Sequence, residues 1–254
     1  MDFTSYIALG DSFTEGYGDE LPDGTPRGWA DFVAIGLAAA STVTVSYANL
    51  AIRGRKLAPI VTEQLDAALA QHPQLLSLNG GGNDLMRPRV SIASIADRLV
   101  DAATRAAAEG GHVILASGAN PSRHIPAGGL LQRRGDELAR AVRARLPIER
   151  VTFVDNWADA ELAALRYWSV DQLHLNALGH ARVAGNVLRA LELPVPDFSA
   201  GELAVARPSA IAYWRGYVLP WIGRRLTGRS SGDNRAPKIA TLTPVSLADQ
   251  AGGG

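Results

Sequence analysis

Short apolar segments alternate with longer amphipathic segments from the start of the chain. The short segments are typical of β-strands and lie at residues 6–9, 42–47, 75–78, 113–116 and 151–154. Between and after them, apolar side chains recur at helical spacing, which predicts helices over residues 29–39, 57–70, 91–108, 130–146 and 176–191. The chain is therefore expected to alternate regularly between strand and helix.

This alternation predicts the fold class. Strands separated by helices are typical of βαβ crossovers, which give a parallel sheet with helices on both faces. We expect an α/β protein, a three-layer α/β/α sandwich with a five-stranded parallel sheet. Ligand sites in such sheets lie at the carboxyl ends of the strands. Chemistry is therefore expected directly after Leu9, Tyr47, Leu78, Ala116 and Val154.

The chain changes character near residue 196. Residues 207–238 hold seven basic side chains and one acidic side chain, and a helical stripe of apolar side chains: Ile211, Trp214, Val218 and Ile222. We divide the chain into a domain over residues 1–196 and a basic, aromatic extension over residues 197–254, a helix followed by a mobile tail. The stripe is expected to pack on the domain, or on a second subunit to form a homo-oligomer. We favour both over binding to a membrane or to nucleic acid.

Composition excludes several kinds of function. The chain has no cysteine, which excludes disulfides, thiolate metal sites and cysteine nucleophiles. Its 25 basic and 25 acidic side chains balance, so no overall charge attracts nucleic acid. No apolar run is long enough to span a membrane, and residues 1–5 do not resemble a signal peptide. We therefore expect a cytoplasmic protein that needs neither a metal nor another cofactor.

Polar residues follow three of the strands. Ser12 comes after the first, Asn83 follows a run of three glycines after the third, and Asp171 precedes His174 by three residues after the fifth. Each has an ordinary structural explanation, as a helix cap, a turn or a surface loop. Together they supply a hydroxyl, an amide, a base and an orienting carboxylate, which are the groups that acyl transfer needs. The GxSxG motif of common α/β-hydrolases is absent.

At these positions the sequence resembles the GDSL family of serine hydrolases, also called SGNH hydrolases. Four short blocks occur in the family's order within residues 5–190: Gly10-Asp11-Ser12, Asn49-Leu50-Ala51 followed by Gly54, Gly81-Gly82-Asn83-Asp84, and Asp171 to His174. The resemblance implies a flavodoxin-like sheet. One departure from the family pattern is that arginines flank Gly54, as Arg53 and Arg55.

The resemblance also implies the role of each residue. Ser12 is expected to be the nucleophile, His174 the general base and then acid, and Asp171 the group that orients His174. The oxyanion is expected to accept hydrogen bonds from the backbone N–H groups of Ser12 and Gly54 and from the side-chain amide of Asn83. Asp11, Asp84 and His180 are expected to be structural.

The expected function is that of a carboxylic ester hydrolase acting through a seryl acyl-enzyme. Polar loops, including residues 16–28 and 120–129, favour a small acyl group on a polar or carbohydrate-like small molecule over a long-chain lipid. An acyltransferase using the same residues stays an alternative, because only the acceptor differs. A non-catalytic ligand-binding module is the third hypothesis, although binding alone does not require a nucleophile and a base.

Overall fold

The strands form one twisted layer in the computed structural model, which describes residues 3–126, 128–198, 209–219 and 232–247. The strand order is β5-β4-β3-β1-β2-β6. Their bounds are β1 Ser5–Leu9, β2 Ser46–Asn49, β3 Leu75–Leu78, β4 His112–Ala116, β5 Val151–Val154 and β6 Ile239–Pro244. The first five pair in parallel, as the alternating pattern predicts.

Helices cover both faces of the sheet. Their bounds are α1 Ser12–Glu15, α2 Trp29–Ala40, α3 Leu57–Pro59, α4 Leu65–Leu69, α5 Gly82–Leu85, α6 Ile92–Ala108, α7 Gly128–Arg143, α8 Ala177–Ala190 and α9 Ala210–Tyr213. Short 3₁₀ turns lie at Ala160–Ala163 and Leu165–Tyr167, and π-helical turns at Ile60–Gln64 and Trp214–Val218. In the ranges that are described, none of these helices is both long and apolar enough for a membrane span.

Two apolar cores lie on opposite sides of the sheet. One contains Trp29 and Phe32 of α2 with Leu188 of α8, and the other contains Leu99 of α6 with Val142 of α7. The side chains of each strand alternate between the two cores, because successive residues of a strand point to opposite faces. The three-layer α/β/α sandwich is thus confirmed.

The strand order determines where a site can form. The chain runs from β1 outward to β2 and then returns to the other side of β1 to form β3. At such a switch point the loops after neighbouring strands diverge and leave a crevice. Ser12 follows β1 at this point, and Asn83 follows β3 beside it.

Within the described ranges, the sheet has one strand more than the five that the sequence predicts. Residues 239–244, which we expected in a mobile tail, form β6 and pair antiparallel with β2. Their Gly- and Pro-rich surroundings hide a short β-branched segment, and only two of the six side chains are partly buried. The strand gains its partners from the backbone edge of β2 and from the side chain of Gln71, which binds both Ala240 and Leu242.

The extension helix is described only over residues 209–219. It consists of α9 and the π-helical turn that follows it, and the hydroxyl of Tyr213 donates to the carbonyl of Asp171 at 3.1 Å. For the predicted apolar stripe, Ile211, Trp214, Val218 and Ile222, the structure describes no side chain. The division at residue 196, the packing of the stripe and a homo-oligomer remain predictions.

Candidate active site

Ser12 occupies the first position of α1, directly after β1. Asp11 caps this helix, since its Oδ1 accepts from the amide of Phe13 at 3.1 Å. The preceding Gly10 is held by the buried amide of Gln64, which accepts from the Gly10 N–H at 2.9 Å and donates to its carbonyl at 3.0 Å. The hydroxyl of Ser12 thus projects from a turn whose backbone is fixed on both sides.

The loop from Ser169 to His174 holds the candidate base. Oδ1 of Asp171 accepts from the amides of Leu173 and His174 and from the Ser169 hydroxyl, at 3.0, 2.9 and 2.7 Å. Its other oxygen lies 2.5 Å from Nδ1 of His174. Burial opposes ionisation of Asp171, but the charge of His174 and these hydrogen bonds hold the pKa of the carboxyl well below its usual range.

The two segments meet at Ser12. Nε2 of His174 lies 3.0 Å from the hydroxyl oxygen of Ser12, although 162 positions separate the two residues in the chain. The three side chains thus form one hydrogen-bonded row, from carboxylate to imidazole to hydroxyl. In this arrangement the imidazole can take the hydroxyl proton while the carboxylate fixes its orientation.

Asn83 lies beside Ser12, and both of its amide hydrogens form hydrogen bonds within the protein. Nδ2 donates to Oδ2 of Asp11 at 3.1 Å and to the carbonyl of Arg55 at 3.0 Å. Burial raises the pKa of Asp11 to about 6. Asp84 joins the same loops, since its carboxylate accepts from the amide of Leu57 at 2.8 Å. Both carboxylates thus hold loops together, as expected for structural residues.

Gly54 lies in a tight turn between the two arginines. The turn is closed by the Arg55 amide, which donates to the carbonyl of Ile52 at 3.3 Å, and Gly54 has the left-handed φ of 75° that glycine adopts without strain. The bond from Asn83 to Arg55 ties this turn to the loop after β3. Within the described ranges, the N–H groups of Ser12 and Gly54 donate to no protein acceptor.

Three further side chains support this centre through contacts that the sequence does not predict. The carboxylate of Glu15 forms a buried ion pair with Arg53, with a shortest contact of 2.6 Å. The Arg53 guanidinium lies 4.4 Å from the ring centre of Tyr17, whose ring in turn meets His174 edge-on at 4.7 Å. These residues belong to different motifs or to none, so only the folded chain brings them together.

His180 is fully buried below the site. Its Nδ1 accepts from the amide of Trp29 at 3.3 Å, and its ring packs beside Phe13. Burial disfavours the charged imidazole and lowers its pKa to about 3. The ring is therefore neutral at physiological pH and serves as packing, as expected.

A cavity of about 140 Å³ opens beside Ser12 and His174. Asn79 and Asn83 contribute polar groups to its lining, and the core beside α6 and α7 contributes apolar side chains: Leu99, Leu115, Leu131, Leu138, Val142 and Phe153. Such walls suit an aliphatic group. Within the part of the chain that is described, no cluster of three or more His, Asp and Glu side chains could hold a metal ion.

Comparison with known proteins places these features in a family. The model of the GDSL-like lipase/acylhydrolase family matches residues 8–182, which include all four sequence blocks. No curated protein matches the sequence.

Solved structures share the fold at low sequence identity. A lipase, Lip_vut3, from a goat rumen metagenome is 18% identical with a TM-score of 0.62, over 73% of this chain and 96% of its own. A catalytic mutant of Axe2, an acetylxylan esterase from Geobacillus stearothermophilus, is 18% identical with a TM-score of 0.62, over 75% of this chain and 94% of its own. TesA is 24% identical with a TM-score of 0.58, over 74% of this chain and 98% of its own. About a quarter of this chain therefore lies outside the shared fold.

Proposed function

Because the chain belongs to the GDSL-like lipase/acylhydrolase family, we propose that it hydrolyses carboxylic esters through a covalent seryl intermediate. The observation that carries this proposal is the row of hydrogen bonds from Asp171 through His174 to Ser12, at 2.5 and 3.0 Å. A binding module has no need of a nucleophile in contact with an oriented base.

In the first half of the reaction, the Ser12 oxygen attacks the ester carbonyl carbon while Nε2 of His174 takes the hydroxyl proton. The tetrahedral intermediate then collapses, the bond to the alcohol oxygen breaks, and His174 returns the proton to the leaving alcohol. In the second half, water repeats the attack on the acyl-enzyme with His174 as base, and releases the acid and free Ser12. Asp171 stays ionised throughout and balances the charge of the imidazolium.

Negative charge on the carbonyl oxygen would be stabilised by three donors. The N–H groups of Ser12 and Gly54 donate to no protein acceptor in the described ranges and are free to serve. Asn83 would divert one amide hydrogen from Asp11 or Arg55 to the developing oxyanion, which is the stronger acceptor. The loss of one such donor typically costs about 10²–10³-fold in rate.

The substrate would lie across Ser12 with its acyl group in the cavity. The apolar walls support an aliphatic acyl group of several carbons, longer than the small group that the polar loops favour. The polar or carbohydrate-like character that those loops indicate would then belong to the alcohol part. Each methylene that enters the cavity should raise kcat/KM about fourfold. The values of kcat/KM for p-nitrophenyl esters from acetate to octanoate therefore measure the length of acyl chain that the cavity accommodates.

The test of the reaction is Ser12→Ala, with Ser94→Ala on the exposed face of α6 as a matched control. We expect the first variant to lose at least about 10³-fold in p-nitrophenyl ester turnover and all labelling by a fluorophosphonate probe. The control should keep both. Unchanged turnover in Ser12→Ala, or a wild type that is neither active nor labelled, would contradict the mechanism. A wild type that is labelled but transfers the acyl group only to an added alcohol would identify an acyltransferase.

A further inference from the structure

The C-terminal arm, residues 232–247, packs against the turn that carries Gly54. An ideal Cβ built on Gly232 would lie 1.9 Å from the carbonyl oxygen of Arg53, so the two backbones are in direct contact. That carbonyl belongs to the same peptide unit as the N–H of Gly54. Because a trans peptide is planar, with C=O and N–H on opposite sides, the position of one end determines the direction of the other.

The same peptide region is held from its other side by Glu15. The carboxylate accepts from the Arg53 backbone amide at 2.6 Å and from the Arg53 side chain at 2.6 to 3.0 Å. Glu15 ends the short helix that begins with Ser12. This helix thus carries the candidate nucleophile at one end, and at the other a carboxylate that holds the candidate oxyanion turn.

Lys238 fixes the arm to that helix. Its Nζ donates to the carbonyls of Glu15 and Pro26, both at 2.8 Å, and to the carboxylate of Asp31 at 2.6 Å. The side chain is only 10% exposed, so its charge is balanced by Asp31 and its three hydrogens have three acceptors. Arg235 adds a second positive charge 4.0 Å from Glu15.

We propose that Gly232 and Lys238 are positioning residues of the active site, through which the C-terminal arm holds the Gly54 N–H in the direction that the oxyanion requires. This rests on the proposed function, in which Gly54 is an oxyanion donor. The family model ends at residue 182, so the arm adds to the family's own motifs a support that comes from outside them. The arm is then part of the catalytic apparatus without touching the substrate.

The sharpest test is Gly232→Ala, because the added methyl group would lie 1.9 Å from the Arg53 carbonyl oxygen and 3.0 Å from Cγ2 of Ile52, and so cannot fit without a shift. Either the Arg53 peptide shifts or the arm lifts from it, and in both cases the Gly54 N–H loses its direction. We expect kcat for a p-nitrophenyl ester to fall roughly 10²-fold, as for a lost oxyanion donor, with KM changed less than threefold. The affinity for a boronic acid, which forms a tetrahedral adduct with Ser12, should fall in parallel with kcat.

Two controls separate this effect from general damage. Gly216→Ala adds a methyl group where no described atom outside its own helix lies within 4 Å, and Thr241→Ala alters an exposed side chain of β6; both should keep wild-type kcat. Lys238→Met keeps the buried stem but removes the charge, and should lower kcat per folded molecule at least tenfold. Folded Gly232→Ala with wild-type kcat and boronate affinity would overturn the inference while the wild type stays active. An inactive wild type would instead refute the proposed function.

Discussion

The two sides of the candidate catalytic centre are built in different ways. The base side, residues 169–174, is one loop in which the hydrogen bonds to the Asp171 carboxylate all come from within three positions. The candidate oxyanion side joins the turn at Gly54, through its neighbours Arg53 and Arg55, to Glu15, Asn83 and the C-terminal arm. These segments lie far apart in the chain. A local loop can be specified by a short motif, whereas an assembled wall depends on the whole fold.

This comparison predicts that the base side responds mainly to changes inside its own loop. The largest effect is expected there: His174→Ala should lower kcat/KM by at least about 10⁴-fold, and Asp171→Asn by about 10³-fold. The asparagine still accepts from the surrounding amides, but it donates to Nδ1 of His174 and so favours the wrong tautomer. Steady-state kinetics on one p-nitrophenyl ester give both values. A larger loss in Asp171→Asn than in His174→Ala would show that the carboxylate does more than orient the ring.

A much smaller effect is expected for Tyr213→Phe, which removes the contact between the extension helix and the base side. The hydroxyl donates to the Asp171 carbonyl from a partly exposed position, while three other donors already hold the Asp171 carboxylate. We expect kcat to change less than about threefold, since a neutral hydrogen bond of this kind contributes about 1 kcal/mol or less. A loss comparable to that of Gly232→Ala would mean that both sides depend equally on the C-terminal segments.

The last prediction concerns stability rather than turnover, and it uses two groups buried near the centre. The pKa of His180 is lowered from 6.5 to about 3, so its contribution to stability is complete above pH 6.5 and is lost as the pH falls towards 3. The pKa of Asp11 is raised from 3.8 to about 6, so its contribution is complete below pH 3.8 and is lost as the pH rises towards 6. Between pH 4 and 6, acidification therefore lowers the free energy of unfolding through His180 and raises it through Asp11.

Urea unfolding from pH 4 to 7 can separate these two groups. In His180→Asn, which keeps an acceptor for the Trp29 amide, the loss of stability on acidification should become smaller, and the opposite slope from Asp11 should remain. The wild type should show the His180 slope in addition, together with a contribution of the same sign from His112, whose pKa burial also lowers. If the free energy of unfolding of His180→Asn changes with pH by the same slope as in the wild type, His180 does not titrate as its burial requires.

The sequence predicts the base side well because its signals are local. Asp171 and His174 lie three positions apart in one loop, and the hydrogen bonds that hold the carboxylate come from that loop. The pairing of Glu15 with Arg53 across 38 positions has no such local signal, because it depends on how two loops pack. The buried contacts of Lys238 cannot be predicted from the sequence, because this residue ends a basic segment that is typical of a solvated surface.

The strand β6 was missed for a related reason. Sequence patterns detect a strand by alternation of buried and exposed positions, and only Ile239 and Leu242 of its six residues are partly buried. Its stability comes instead from backbone pairing with β2, which any sequence with suitable β-propensity can provide. Every residue of the first five strands is at least partly buried, so these strands leave a clearer apolar signal.

The antiparallel pairing of β6 has a consequence for how the protein is made. Until residues 239–244 leave the ribosome, β2 is an outer strand whose unpaired amides and carbonyls can recruit another chain. The nascent domain therefore passes through a stage that favours aggregation, and β6, which is translated after the other strands that the structure describes, ends this stage by pairing with β2.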